Sequence, residues 1–348
     1  MAQKISRAAI FDVLNSFMLA GANSSLMAMK AVKGIDVDGG VVQIVLQLPH
    51  SFREQIASIQ GTLKATILAL PEVKNAEIVI EWESQPQEAE RQNLLPTVKK
   101  VIVVGSGKGG VGKSTISANL ACTMAVKGLR VGLMDADLYG PSMGMMFGVG
   151  SGDGPTMSPD GTIIPVEKYG LKLMSMGFLI DDDKPIIWRG PMLNKALNQF
   201  MTEVDWGELD ILFIDLPPGT GDIQISLIHN AYVSGAIVVS TPQDVAFLDA
   251  KKAIAMFNTV NVPILGVIEN MSSFICPNCK KETQIFGHGG VRNATQQMGL
   301  PFLGEIPIDL QLRTSCDSGT PIATALPDSP LAHIFADMAT KLESTLQL

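Results

Sequence analysis

Long apolar runs are absent from this 348-residue sequence. None approaches the ~20 residues that a membrane-crossing helix requires, so no transmembrane helix is predicted. A signal-peptide core is missing as well: the charged start, Met1 to Arg7, leads into Ala8-Ala9-Ile10-Phe11-Asp12, which is too short and too acidic. Positive charge is in deficit, 26 Lys and Arg against 34 Asp and Glu, for a net charge of −8. That balance works against non-specific attraction to nucleic acid or to an anionic membrane surface. Cysteine is scarce. Four in a chain expected to be cytoplasmic argue against a disulfide framework and leave metal binding or plain burial. Internal repeats and low-complexity tracts are also lacking.

What is present is a packed composition, 46% hydrophobic and 17% charged. The length suits about two domains at ~150 residues each. Residues 1–82 read as a small α/β accessory unit. Ile10, Val13, Leu14 and Phe17 recur at helical spacing, as do Ile56, Ile59, Leu63 and Ile67, while Val41–Leu48 and Ala76–Trp82 read as strands. Residues 83–96 turn to Ser, Gln, Pro, Glu and Arg, the composition of a solvated linker. Over 97–348, short aliphatic runs at Val101–Gly105, Arg130–Met134, Ile211–Asp215, Ala236–Ser240 and Ile264–Ile268 alternate with helix-length segments. That alternation predicts a doubly wound, mainly parallel α/β sheet covered by crossover helices.

The strongest local signal is Gly107-Lys108-Gly109-Gly110-Val111-Gly112-Lys113-Ser114-Thr115, set between an apolar strand and a helix starting near Ser114. Gly107, Gly112, Lys113 and Ser114 satisfy the phosphate-loop spacing. Backbone N–H groups close around phosphate oxygens only where side chains do not intrude, and the helix presents its positive end to the same anion. Lys113 is expected to neutralise the β- and γ-phosphates of ATP, Ser114 to ligate Mg²⁺, and Thr115 to add a phosphate contact.

Two further apolar runs end in carboxylates, where parallel sheets bind ligands. Asp135-Ala136-Asp137 closes one; Asp137 is the candidate to orient or deprotonate the attacking water, and Asp135 to support Mg²⁺. Asp215 closes the other and is expected to hold Mg²⁺ through water. In Pro217-Pro218-Gly219-Thr220-Gly221-Asp222, the Gly219 amide is the candidate sensor of the γ-phosphate.

Cys276-Pro277-Asn278-Cys279 is the second distinctive feature. Two thiolates can share a metal, yet zinc and iron–sulfur sites want four ligands, and Cys122 and Cys316 form no second pair. A two-fold dimer supplies the missing donors, because the same patch of each copy meets itself. From the residues alone a bridged zinc, redox chemistry and inert thiols stay open beside a bridging iron–sulfur cluster. Lys280-Lys281-Glu282-Thr283, which follows, does not continue as the helix that a redox pair commonly opens.

Lys108 in the loop resembles the signature lysine of the deviant Walker A ATPases, the group of MinD and ParA. That resemblance implies a face-to-face homodimer in which Lys108 reaches the partner's nucleotide. With Asp135-Ala136-Asp137-Leu138-Tyr139-Gly140-Pro141-Ser142, Pro217–Asp222, Glu269-Asn270-Met271-Ser272 and the Cys-Pro-x-Cys, residues 97–340 resemble the Mrp/ApbC family. The resemblance implies an ATPase that binds a cluster, usually 4Fe–4S, at its dimer interface through Cys276 and Cys279 and passes it to apoproteins. It also implies adenine contacts from Asn270, Pro307 and Asp309 and cluster-assembly proteins as partners, while the charge balance leads us to expect neither nucleic-acid binding nor stable membrane association. A MinD-like partitioning ATPase is the rival, and its membrane tail would have to be the Leu331, Ile334, Phe335, Met338, Leu342 stripe. That stripe carries Asp337 and Glu343 beside one Lys341, which suits packing against the body. The N-terminal unit resembles the iron–sulfur-assembly domain often fused ahead of this ATPase, but lacks its Asp-Pro-Glu motif around Ala20–Ser25.

Overall fold

The computed structural model describes residues 6–19, 25–29, 31–48, 52, 55–82, 93–138, 140–150, 152–179 and 190–348. The chain divides into two compact units, Met1–Arg91 and Gln92–Leu348.

The first unit runs α1 (Arg7–Ser16), β1 (Val32–Asp38), β2 (Val41–Leu48), α2 (Ile56–Leu68) and β3 (Asn75–Trp82). Ser6 caps α1, its hydroxyl accepting from the Ala9 amide. Gly39 and Gly40, both at positive φ, turn β1 antiparallel onto β2, and α2 carries the chain over to a parallel β3. The period of two in β2 buries Val42, Ile44, Leu46 and Leu48 against Ile10 and Leu14 of α1 and Ile59, Leu63 and Ile67 of α2. Strand β1 was not anticipated. Its Val-Lys-Gly-Ile-Asp-Val-Asp has no buried residue, lies at a sheet edge and slips register beside Gly34. Most of the segment lacking the Asp-Pro-Glu motif, 20–24, lies outside the described residues, as do 83–92 of the expected linker. Leu95 and Val98 are buried in the second unit's core, so the chain has joined that unit by then.

The second unit continues with β4 (Val98–Gly105), α3 (Lys113–Val126), β5 (Val131–Asp135), α4 (Met143–Met146), β6 (Thr156–Met157), β7 (Ile163–Ile164), β8 (Val166–Lys168), β9 (Leu171–Ser175), α5 (Gly190–Thr202) and β10 (Leu209–Asp215). Then follow α6 (Asp222–Asn230), β11 (Gly235–Ser240), α7 (Asp244–Thr259), β12 (Ile264–Ile275), β13 (Glu282–Thr283), α8 (Gly290–Gln297), β14 (Phe302–Ile308), α9 (Leu310–Asp317), α10 (Ile322–Ala325) and α11 (Pro330–Leu346). Strands β14, β12, β11, β4, β10, β5 and β9 lie side by side and parallel; β8 and β13 add antiparallel edges. The mainly parallel sheet expected from the alternating runs is therefore present.

Each central strand feeds two cores. Val101, Val103, Leu212 and Ile214 face α5, α6 and α7, with Phe200, Leu227 and Phe257 among their neighbours. Ile102, Val104, Ile211 and Phe213 face α3, α10 and α11, with Leu120, Ile322 and Phe335. Burial on both faces is why these strands read as unbroken aliphatic runs. Leu331, Phe335, Met338 and Leu342 are all buried, so the C-terminal stripe belongs to this second core. Among the described residues no helix is long and apolar enough to cross a membrane. Replacing the fully buried Phe335 with alanine is expected to cost about 3–5 kcal/mol in denaturant unfolding, the range for truncating a core aromatic.

Candidate functional site

Strand β4 ends at Gly105, and residues 106–112 loop into the first turn of α3. Two glycines here are fixed by sterics. Gly112 caps α3 at φ +83, and a Cβ on it would stand 2.2 Å from Asn270 Nδ2. A Cβ on Gly107 would meet the Asp249 carbonyl carbon and oxygen of α7 at 2.1 Å. The loop, with Lys108 through Thr115, lines a cleft of about 280 Å³ whose other walls include Asp137, Gly140, Ser142, Met146 and Pro218.

At its floor, Asp215 is fully buried at the end of β10. Its Oδ2 accepts from Lys113 Nζ and from Ser114 Oγ, both at 2.6 Å, and its Oδ1 accepts from Ser117 Oγ at 2.6 Å. A serine hydroxyl and a carboxylate oxygen in contact are the hard oxygen donors that Mg²⁺ prefers. Ser117, one helical turn beyond Ser114, escaped the sequence reading because no phosphate-loop pattern specifies that position.

Asp135 pairs with Asp215 across β5 and β10. Its Oδ1 accepts from the Asp137 amide, and its Oδ2 accepts from the Ser142 and Met143 amides and the Ser175 hydroxyl. Burial, then the neighbouring Asp215 charge, pushes its pKa up to about 7 against the pull of those hydrogen bonds. Both oxygens are therefore engaged with the chain around it, above all the 137–143 loop, so its geometry is that of a loop organiser. Asp137 stands at the cleft wall, its Oδ1 accepting from the Gly140 amide. Tyr139 lies outside the described residues.

The Gly219 amide donates to the Ser106 carbonyl at 3.1 Å, tying the second switch to the phosphate loop; sensing a γ-phosphate would require that bond to open. Gln224 holds this loop from behind, donating to the Pro217 and Pro218 carbonyls and accepting from the Gly221 amide. Only its place one turn into the following helix could have flagged it.

The expected adenine contacts sit within β12 and at the carboxyl end of β14 but are not among the residues that line the cleft. Asn270 Nδ2 donates to the Val111 carbonyl at 2.8 Å, bracing the phosphate loop from outside. Asp309 caps α9 through the Gln311 and Leu312 amides, and Pro307 lies within β14.

Cys276 and Cys279 occupy a turn at the tip of the hairpin that extends β12 into β13. The Cys276 amide donates to Lys281, and its carbonyl accepts from the Lys280 amide. Cys276 is half-buried and Cys279 exposed, with Ile275, Ile285 and Phe286 exposed nearby in the sequence. The Cys279 and Asn278 amides, then the Cys279 thiol, lower the Cys276 pKa below its usual value. Cys122 lies buried against Thr324 and Cys316 against Asn119; burial raises both thiols. His288 comes together with Glu269 and Glu305, their ligand atoms within 4.8 Å of one another. Glu269 is committed to the Gly289 and Val291 amides at the start of α8, and Glu305 faces Arg292 at 3.4 Å.

Residues 97–343 match the family model of the NUBPL iron-transfer P-loop NTPases, and residues 7–78 that of the iron–sulfur cluster assembly proteins. The chain belongs to the NUBPL iron-transfer P-loop NTPase family. It is 45% identical over 94% of both chains to an iron–sulfur cluster carrier protein of Aquifex aeolicus. It is also similar to the iron–sulfur cluster transfer protein NUBPL of Dictyostelium discoideum, at 46% over 72% of this chain and 78% of that one. Among solved structures, a nucleotide-binding protein of Archaeoglobus fulgidus in complex with ADP, with cobalt found in it, is 37% identical with a TM-score of 0.58, covering 66% of this chain and 91% of that one. The MinD ATPase of Pyrococcus furiosus shares the fold at 20% identity, TM-score 0.54, over 71% of this chain and 99% of its own.

Two tests follow for this NUBPL-family site. Asp215→Ala strands a buried ammonium and is expected to cost about 3–5 kcal/mol in urea unfolding, a loss that Lys113→Met in the same chain partly restores. Alkylation by iodoacetamide, read by peptide mass spectrometry, should label Cys276 at lower pH than an ordinary thiol, because the thiolate reacts, while Cys122 and Cys316 stay unlabelled in the folded chain.

Proposed function

We propose that this chain is an ATP-hydrolysing carrier of iron–sulfur clusters. The observation that carries the reading is the pair of reachable thiols on one turn, with amides aimed at Cys276, in a chain whose other two cysteines are buried. Two sulfurs fill half of a cluster's ligand set. A second copy supplies the other half across a two-fold axis, and the cargo on that count is 4Fe–4S held by Cys276 and Cys279 of each copy. Recipients are apo iron–sulfur proteins, with assembly proteins as donors, and the setting is the cytoplasm.

The nucleotide lies in the cleft of residues 107–115. Lys113 leaves or shares Asp215 to neutralise the β- and γ-phosphates, and the loop amides complete the cradle. Mg²⁺ would be held by Ser114 Oγ and, through water, by Asp215, where it draws charge from the phosphates; Asp135 acts by shaping the neighbouring loop. Asp137 orients the water that attacks the γ-phosphorus as the bond to ADP breaks and inorganic phosphate leaves. Lys108, which lines the cleft, would reach the partner's nucleotide, and the switch at Gly219 would release Ser106 to follow the γ-phosphate. Asn270, Pro307 and Asp309 would contact the adenine. Residues 1–82 serve as an assembly-like accessory domain, joined by 83–96 to the ATPase of 97–348. A partitioning role would need the C-terminal stripe for a membrane, and Leu331, Phe335, Met338 and Leu342 are buried instead. Nothing in the charge balance favours nucleic acid.

Anaerobic reconstitution with iron and sulfide tests the reading. The parent is expected to take up about four iron and four sulfide per two chains, and Cys276→Ala or Cys279→Ala almost none. Equal uptake by the variants, or zinc without sulfide in protein purified free of oxygen, would refute it.

A further inference from the structure

Strand β12 touches both sites. Asn270 donates to the Val111 carbonyl at 2.8 Å and leans on Gly112, immediately before Lys113. Six residues on stands Cys276. Between them the strand is irregular: Met271 sits at φ 58, in left-handed backbone that side chains avoid, and the pairing with β14 breaks between Asn270 and Phe274.

The returning limb of the cysteine hairpin is anchored at almost the same point. Glu269, fully buried, accepts from the Gly289 amide at 3.1 Å and the Val291 amide at 2.9 Å. Its charge meets the positive end of α8, which makes that anchor stiff. The limbs themselves pair at Phe274 with Thr283 and Ile275 with Glu282, and at the tip Cys276 exchanges backbone bonds with Lys281 and Lys280. One foot of the hairpin is therefore continuous with Asn270, and the other is fastened to the residue beside it. A shift of Asn270 relative to the phosphate loop moves both feet together.

We infer that Asn270 and Glu269 are positioning residues that couple the phosphate loop to the Cys276–Cys279 hairpin, so that nucleotide binding alters the mobility of the thiols. As a control on cluster release, the inference rests on the carrier reading; as a mechanical link it stands apart from it. Linkage makes the coupling reciprocal: whatever stiffens the hairpin changes nucleotide affinity by the same factor.

Hydrogen–deuterium exchange on the full chain, with Mg-ADP and Mg-ATP as probes, tests the link. In the parent, nucleotide should protect amides of 107–115 and change exchange across 271–289 by about fivefold or more, the low end of coupling between sites. In Asn270→Ala, at saturating nucleotide, the loop remains protected while the hairpin's response falls to about twofold or less. Glu269→Gln keeps the Asn270 bond and loosens only the second foot; at saturating nucleotide it should leave 107–115 protected while the hairpin's response falls to about twofold or less. If Asn270→Ala fails to fold, Glu269→Gln decides alone. A hairpin silent to nucleotide in the parent, or equally responsive in the folded variants, overturns the link. A parent that couples yet takes up no iron or sulfide leaves the link standing and sinks the carrier reading.

Discussion

The carboxylate of Asp215 is the constraint on which the rest of the site depends. It has no solvent contact, and its two oxygens receive an ammonium and two hydroxyls from the first turns of α3. A buried charge of this kind is tolerable only when paired and hydrogen-bonded. Meeting that demand fixes the angle at which α3 leaves the sheet, and hence where the loop's amides and Lys113 are presented. The sheet supplies the rest by register, since Asp135 lies directly across from Asp215. Two acidic groups side by side in a dry place make their corner responsive to cations.

Around that corner the chain is braced from several directions. Asp135 gathers the 137–143 loop, Gln224 holds the loop of Pro217 and Pro218, the Ser106 carbonyl receives Gly219, and Asn270 supports Val111. These contacts come from segments that follow or continue different strands at one end of the sheet. That convergence is what a parallel sheet offers at the carboxyl ends of its strands.

Much of this was legible in the sequence because the signals are local. The phosphate loop, the carboxylates closing aliphatic runs and the Cys-Pro-x-Cys each declare their chemistry within a few residues. The five strand runs were equally plain, since burial on both faces leaves no polar alternation to confuse them. What escaped depends on distant partners. Glu269 entered only as part of a family motif and Asn270 as an implied adenine contact, and only the folded chain brings them to Gly289 and Val111. Strand β1 escaped for the opposite reason: an edge strand exposed to solvent needs little hydrophobic pattern to persist. That Asp309 caps α9 through the Gln311 and Leu312 amides was likewise out of sight in the sequence.

Gly107 ties the phosphate loop to the history of another segment. The backbone of α7 at Asp249 and Ala250 passes so near that even a methyl group would collide with main-chain atoms, which have no rotamer to yield. The glycine at the head of the loop is thus a requirement of tertiary packing. Any lineage that replaced it would first have to draw α7 away from the sheet, unpacking Phe257 beneath Gly105 as it went. Two stretches far apart in the chain are in this way obliged to drift together or not at all.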